Sequence, residues 1–303
     1  MPSVPNLTAQ DVEAAVAGVR DVAYLAKGGQ KIVFSCTIDG RACVLKFLLA
    51  APPDAPPPDD PAVSAERGLE ALERARREVE TMSQCDSPAL VKLGPLGLER
   101  TTIGNQDLIY FSEERVDGED LRSVLSREHA LAVRELVALG EDLTAAVAAI
   151  WSFAKIHRDI KPGNAMRRNS DRRFVLLDVG MAMDLADDSI TATGAVVGTP
   201  AYFSPEQLDY AKRRQLDFRS DLFAAGIVLY ECSTGRHPFR APGEGTATLF
   251  GNILSARPTS PRSLRPDLPA ELEAIILRLL AKRPHMRYRT CDQLATALRG
   301  VPR

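Results

Sequence analysis

The chain has no Cys-x-x-Cys pair, and its five cysteines (Cys36, Cys43, Cys85, Cys232 and Cys291) are an odd number at irregular spacing. That excludes a zinc knuckle and a dithiol redox motif, and it leaves thiols suited to a reducing compartment. No apolar run approaches the roughly 20 residues that span a bilayer; stretches such as 222–230 are far too short. The opening MPSVPNLTAQDVEAAV has no basic start and no apolar run after it, so no leader peptide is expected and the expected compartment is the cytoplasm. Positive charge is not in excess: 38 Lys and Arg stand against 40 Asp and Glu, net −2, which argues against a nucleic-acid partner. There is no internal repeat.

What is present is ordinary for a globular chain. It has 303 residues, 45% of them hydrophobic and 26% charged, a length that suits one two-part unit. Near the N-terminus, Ile32-Val33-Phe34 and Cys43-Val44-Leu45 flank Asp39-Gly40, a hairpin signal. Residues 51–62, APPDAPPPDDPA, are too proline-rich for a helix or strand and read as an extended insertion. A helix is expected over about 63–83, with Leu69, Leu72, Val79 and Met82 near helical spacing. Strands are expected at 90–98 and 107–112, and Arg115-Val116-Asp117-Gly118 breaks the pattern. From Leu121 onward the chain reads as mainly helical. An apolar stripe of Leu136, Leu139, Leu143, Val147 and Ile150 runs through 130–153, and further helices are expected at 220–232 and 271–280. A small β-rich part thus precedes a larger helical one.

The segment His157-Arg158-Asp159-Ile160-Lys161-Pro162-Gly163-Asn164 packs a carboxylate, a lysine and a carboxamide around a Pro-Gly turn. Phosphoryl transfer needs such a set: one group to orient the attacking hydroxyl, one to neutralise phosphate charge and one to ligate a metal ion. Beyond it, after the strand-like run 174–177, comes Asp178-Val179-Gly180, a carboxylate at a strand end and well placed to hold a cation.

These segments resemble the signature of protein kinases: HRDIKPGN the catalytic loop, DVG the metal-binding triplet, and Ser204-Pro205-Glu206 the triplet that closes the activation segment. The resemblance runs over about 22–298. It implies an α+β, bilobal protein-kinase fold: an extension at 1–21, an N-lobe at 22–114 with one long helix and the insert at 51–62, a hinge at 115–118, and a C-lobe at 119–303.

By the same resemblance Asp159 is the catalytic base, Lys161 contacts the γ-phosphate, and Asn164 and Asp178 hold Mg²⁺, or Mn²⁺ in its place. Lys46 pairs with the α- and β-phosphates, and its carboxylate partner is Glu78, with Glu80 and Glu73 as near alternatives. ATP is expected against Gly28, Gly29, Val33, Lys46, Glu114, Val116, Asn164, Met166 and Asp178. Asp221 matches the aspartate that braces the catalytic loop, and Arg287 the partner of Glu206.

The segment 198–207, GTPAYFSPEQ, is similar to that of bacterial (Hanks-type) serine/threonine kinases. Thr199 then belongs to the substrate platform, and Thr191 and Thr193 are the expected phosphosites, with Arg158 as a partner for the phosphate. The implied partners are ATP, proteins with Ser or Thr acceptors, and a second copy of the chain in a transient dimer for autophosphorylation. Neither nucleic acid nor a membrane span is implied.

The sequence departs from the family pattern in several places. Ala26 and Lys31 stand where glycines are usual in the phosphate-covering loop, Val44 where alanine is usual, Val179 where phenylalanine is usual, and Glu113 where an apolar residue is commoner. The glycine loop and Glu113 favour a second reading, a pseudokinase that binds nucleotide or scaffolds partners. Lys46, Asp159, Asn164 and Asp178 favour the active enzyme. A small-molecule phosphotransferase of similar fold is disfavoured by the closing Ser-Pro-Glu segment and Thr199.

Overall fold

A computed structural model describes residues 7–28, 31–48, 61–104, 106–179, 183–184, 200–209, 216–241 and 243–302. The chain divides into two compact units, one of residues 1–86 and 91–116, the other of residues 87–90 and 117–303.

In the first unit, α1 (Ala9–Ala15) opens with a capping box. The Thr8 hydroxyl accepts from the Asp11 amide, and the Asp11 carboxylate accepts from the Thr8 amide. Val12 and Val16, one helical turn apart, are buried in the core of this unit. The stretch expected as an extension thus supplies a helix, whose Thr-x-x-Asp start is written in the sequence. Three antiparallel strands follow, β1 (Val19–Gly28), β2 (Lys31–Ile38) and β3 (Arg41–Leu48), then α2 (Pro61–Gln84), β4 (Glu99–Ile103) and β5 (Gln106–Glu114). The strand order is β1-β2-β3-β5-β4.

The Asp39-Gly40 hairpin is present between β2 and β3. Both turn residues have positive φ, 49° and 73°, the conformation of a tight primed turn, which matches the twist of the flanking strands. Ile32, Phe34, Leu45 and Phe47 are fully buried, and the Phe34 and Phe47 rings meet edge to face at 6.0 Å.

The strand expected over 90–98 is not there. Leu93 makes a single bridge to Glu113, and regular pairing starts only at Glu99. Pro95 has no amide to donate, and Gly94 lies so close to β5 that a Cβ would sit 2.5 Å from Ser112 Oγ. The segment follows β5 through irregular bonds, from Gly94 N–H to Ser112 O and from Ser112 N–H to Leu96 O.

The second unit contains β6 (Gly118–Asp120), α3 (Leu121–Glu128), α4 (Val133–Trp151), β7 (Lys155–Ile156), β8 (Ala165–Arg168), β9 (Phe174–Leu176) and β10 (Met183–Asp184). It continues with α5 (Pro205–Leu208), α6 (Phe218–Thr234), α7 (Thr246–Ser255), α8 (Pro261–Leu264), α9 (Ala270–Leu279) and α10 (Cys291–Arg299). The strands form two small sheets, β6-β8-β9 and β10-β7. The predicted stripe on α4 is buried at all five positions. Helix α6 is buried nearly all round and forms the centre of the unit, capped by Asp217 at its start and closed by Gly235 at φ 70°. The expected α+β class, a β-rich part followed by a mainly helical one, is therefore what the chain adopts. Among the described residues, no helix is long and apolar enough to cross a membrane, and none of the five cysteines is in a disulfide.

Close packing of α6 on α9 sets one requirement. A Cβ on Gly226 would lie 2.7 Å from Leu279 Cβ, inside any tolerable contact. Gly226→Ala should lower the melting temperature, although alanine is the better helix former by about 1 kcal/mol. Overpacking of this kind costs about 1–3 kcal/mol, which outweighs that gain. Thermal unfolding followed by circular dichroism reads the sign.

Candidate active site

In the first unit the strand register gathers charge on one face of the sheet. Lys46 on β3 lies opposite Val33 on β2 and Phe111 on β5, while Val44 lies opposite Glu113 and Leu48 opposite Lys31. Side chains two residues apart on a strand share a face, so Lys31 and Glu113 are each diagonal neighbours of Lys46, from opposite sides. Helix α2 adds Glu78, which follows Leu72 and Ala75 on the buried side of the helix and is itself wholly buried. Lys46 Nζ lies 3.1 Å from Glu78 Oε1 and 2.6 Å from Glu113 Oε1. Of the three glutamates weighed on α2, Glu78 meets Lys46; Glu73 and Glu80 are exposed. Burial pushes the Glu113 carboxyl above the usual range, the nearby Lys46 ammonium opposes that shift, and Glu78 adds to it.

Gly28 ends β1, whereas Gly29, Gly180, Thr191, Thr193 and Thr199 lie outside the described residues. In the segment 114–116 the Glu114 amide donates to Lys92 O and the Arg115 amide to Ala42 O, and Val116 is half-buried.

In the second unit the loop after β7 is pinned from below. The His157 and Arg158 amides donate to the two oxygens of Asp221 at 2.7 and 2.8 Å. Asp221, in the first turn of α6, is buried, and burial pushes its carboxyl up, opposed by nearby His157 and by the two amide bonds. The His157 ring spans the loop: Nε2 bonds Leu177 O at 3.1 Å, and Nδ1 accepts from the Asp159 amide at 3.2 Å. Arg158 takes φ 69° and Asp178 φ 58°, a region that residues with a side chain seldom enter.

The loop brings its polar side chains together. Lys161 Nζ donates to Asp159 Oδ2 at 2.6 Å, and the Asn164 amide nitrogen donates to the same oxygen and to Asp159 O, both at 2.9 Å. The Leu177 amide donates to Asn164 O at 2.7 Å, tying Asp178 to the loop one residue away. With its nitrogen so engaged, Asn164 has its amide oxygen left as the atom that a hard cation takes, and the Asp178 carboxylate is of the same chemical type. This oxygen set fits a divalent metal. Met166, half-buried on β8, pairs with Asp120 and Val175.

A second buried pair holds the last residue of the closing triplet. Arg287 Nη1 and Nη2 donate to the two oxygens of Glu206 at 2.6 and 2.9 Å, and Ser220 adds a third bond at 2.8 Å. Burial raises the Glu206 carboxyl, but the Arg287 bonds outweigh it and hold the group below its usual range. His237 was not singled out in the sequence. Its Nε2–H donates to Ala201 O at 2.9 Å, and its Nδ1 accepts from the Phe239 amide at 3.2 Å. That arrangement needs the neutral ring, and burial holds the pKa down to about 4.

Comparison with known proteins agrees with this geometry. Residues 62–297 match the family model described as protein kinase domain. The chain belongs to the protein kinase family. This kinase domain is 34% identical over 227 residues to the serine/threonine-protein kinase PknB of Mycolicibacterium smegmatis, covering 74% of the chain and 35% of the relative. To the serine/threonine-protein kinase PrkC of Bacillus subtilis it is 33% identical over 225 residues, 74% of the chain and 33% of the relative. To a probable serine/threonine-protein kinase of Corynebacterium efficiens it is 30% identical over 289 residues, 93% of the chain and 41% of the relative. The kinase domain therefore spans about a third to two fifths of the length of these curated relatives. The bacterial serine/threonine type expected from residues 198–207 accords with them, and the family uses ATP with a divalent metal.

Two outcomes follow for the second unit. Asp221→Asn puts a donor where one of two amides now donates, and stranding a buried amide costs about 1–3 kcal/mol; both the melting temperature and the transfer rate should fall. For His237, the unfolded chain takes up a proton near pH 6.5 and the folded chain only near 4. Unfolded protein binds more protons between those values, so stability drops as pH falls through that window. His237→Gln should flatten that part of a stability-against-pH curve measured by urea unfolding.

Proposed function

We propose that this kinase domain transfers the γ-phosphate of ATP to serine and threonine hydroxyls of proteins. The observation that carries the reading is the cluster at Asp159: a nearly buried carboxylate with Lys161 at 2.6 Å and Asn164 at 2.9 Å, on a loop held by Asp221. The relatives named as serine/threonine kinases support it.

Asp159 accepts the proton of the attacking hydroxyl, and the adjacent Lys161 both orients that carboxylate and meets the phosphoryl group. Lys46, oriented by Glu78, neutralises the α- and β-phosphates. Gly28, Gly29 and Val33 cover the phosphates, and Glu114, Val116 and Met166 line the base. Asn164 and Asp178 would hold Mg²⁺, or Mn²⁺ in its place; bound there, the metal neutralises charge on the phosphates. Thr199 belongs to the acceptor platform. Thr191 and Thr193 are phosphorylated in trans by a second copy, and Arg158 then pairs with the phosphate. The enzyme works in the cytoplasm, where its five thiols, none of them in a disulfide, stay reduced.

The test is transfer from γ-labelled ATP with Mg²⁺ to the chain itself and to a generic basic protein. Wild type should label Thr191 or Thr193. Asp159→Asn should lose about 10²–10⁴-fold, the usual worth of positioned proton transfer, and Lys46→Met should lose most of the rate as well. A folded wild type that binds nucleotide but transfers no label, with or without acceptor, would instead establish a nucleotide-binding scaffold.

A further inference from the structure

Two departures from the family pattern, far apart in sequence, meet at one place. Lys31 stands where glycine is usual, and Glu113 where an apolar residue is commoner. The register of β2, β3 and β5 brings both to the sheet face that carries Lys46. There they join a chain of four charges with α2, running Glu113, Lys46, Glu78, Lys31. Lys46 Nζ bonds Glu113 at 2.6 Å and Glu78 at 3.1 Å, and Lys31 Nζ bonds the two oxygens of Glu78 at 2.8 and 3.1 Å.

Lys46 lies nearer to Glu113 than to Glu78. Its ammonium is shared between two carboxylates, and its side chain is 8% exposed against 18% for Lys31. A lysine in that position attracts a phosphate less, because its charge is already offset by neighbours a few ångströms away. Lys31 restores what Glu113 removes. It lies on the same glutamate, is the more accessible of the two cations, and adds a second positive charge beside Glu78 and Glu113. Without it, the two carboxylates would weigh more heavily against an approaching triphosphate.

We infer that Lys31 is a second cation for the nucleotide phosphates, required because Glu113 holds Lys46. This rests on the kinase reading above and adds a binding residue and its cause. The charged groups facing Glu113 are Lys46 on β3, Glu78 on α2 and Lys31 on β2. Burial and Glu78 raise its pKa against the pull of the two lysines, so acid neutralises this carboxylate before an ordinary one, and its hold on Lys46 weakens as pH falls.

The experiment compares wild type, Lys31→Met, Glu113→Gln and the double variant. It measures the affinity for a fluorescent ATP analogue with Mg²⁺, the KM and kcat for ATP, and the melting temperature. With Glu113 present, Lys31→Met should weaken analogue binding and raise KM about tenfold, the scale of one lost charge contact, with kcat within about threefold. In the Glu113→Gln background, where Lys46 is released, the same substitution should cost less than about threefold. The penalty in the Glu113 background should also shrink as pH is lowered, and Lys31→Arg should retain most of the affinity.

An equal penalty in both backgrounds, or none, would overturn the inference. So would a loss that tracks the melting temperature alone, or a wild type that binds no analogue. A wild type that binds the analogue yet transfers nothing overturns the kinase reading, and the binding cycle still decides the role of Lys31.

Discussion

A carboxylate with no exposure at all, Glu78, is tolerable inside the first unit only because two ammonium groups lie against it. Removing an ion from water costs several kcal/mol, recovered only by close, well-aligned partners. That constraint fixes more than one contact. It sets the rotation of α2 about its axis, because Glu78 must face the sheet. It fixes which face of β3 presents Lys46, and it requires that the net charge of the buried set remain near zero. A kinase with an apolar residue in place of Glu113 needs only one lysine on that face; this chain, with two glutamates, carries two.

The second unit solves the same problem with different partners. Asp221 has no cation in direct contact among its two hydrogen bonds; it is satisfied by backbone amides, and so its position dictates the path of the chain that carries them. Glu206 is held by a guanidinium whose planar fork matches both its oxygens, with Ser220 completing the shell. The first arrangement shapes a loop, the second locks two segments 81 residues apart in sequence. Neither touches reacting atoms, yet the geometry at Asp159 is inherited from the first.

Much of this was legible in the sequence. The helical stripe of α4, the Asp39-Gly40 turn and the run of motifs from His157 to Asp178 all act through local chemistry, where residue type and spacing are enough. The partner of Lys46 reads as Glu78 with Glu80 and Glu73 as near alternatives, since spacing alone cannot say which helical face meets a sheet; the burial of Leu72 and Ala75 on the side of Glu78 fits that choice. The missing strand at 90–98 shows the reverse limit. Its apolar residues suited pairing, but Gly94 and Pro95 impose a close, irregular approach to β5. The junction of Lys31 with Glu113 was the least readable. Each looked like a separate defect, and only strand register brings both beside Lys46.

Helix α1 has a consequence for any shortened version of the protein. The region that matches the kinase family model starts at residue 62, within α2, which would tempt a design that begins there or at the first recognisable strand. Yet Val12 and Val16 fill the core beneath β1, and Thr101 Oγ1 on β4 donates to the Ala15 carbonyl. A fragment lacking those residues would open a greasy furrow along the sheet and leave β1 without its lid. The useful boundary for an autonomous piece lies upstream of Thr8, well before any residue that resembles the chemistry.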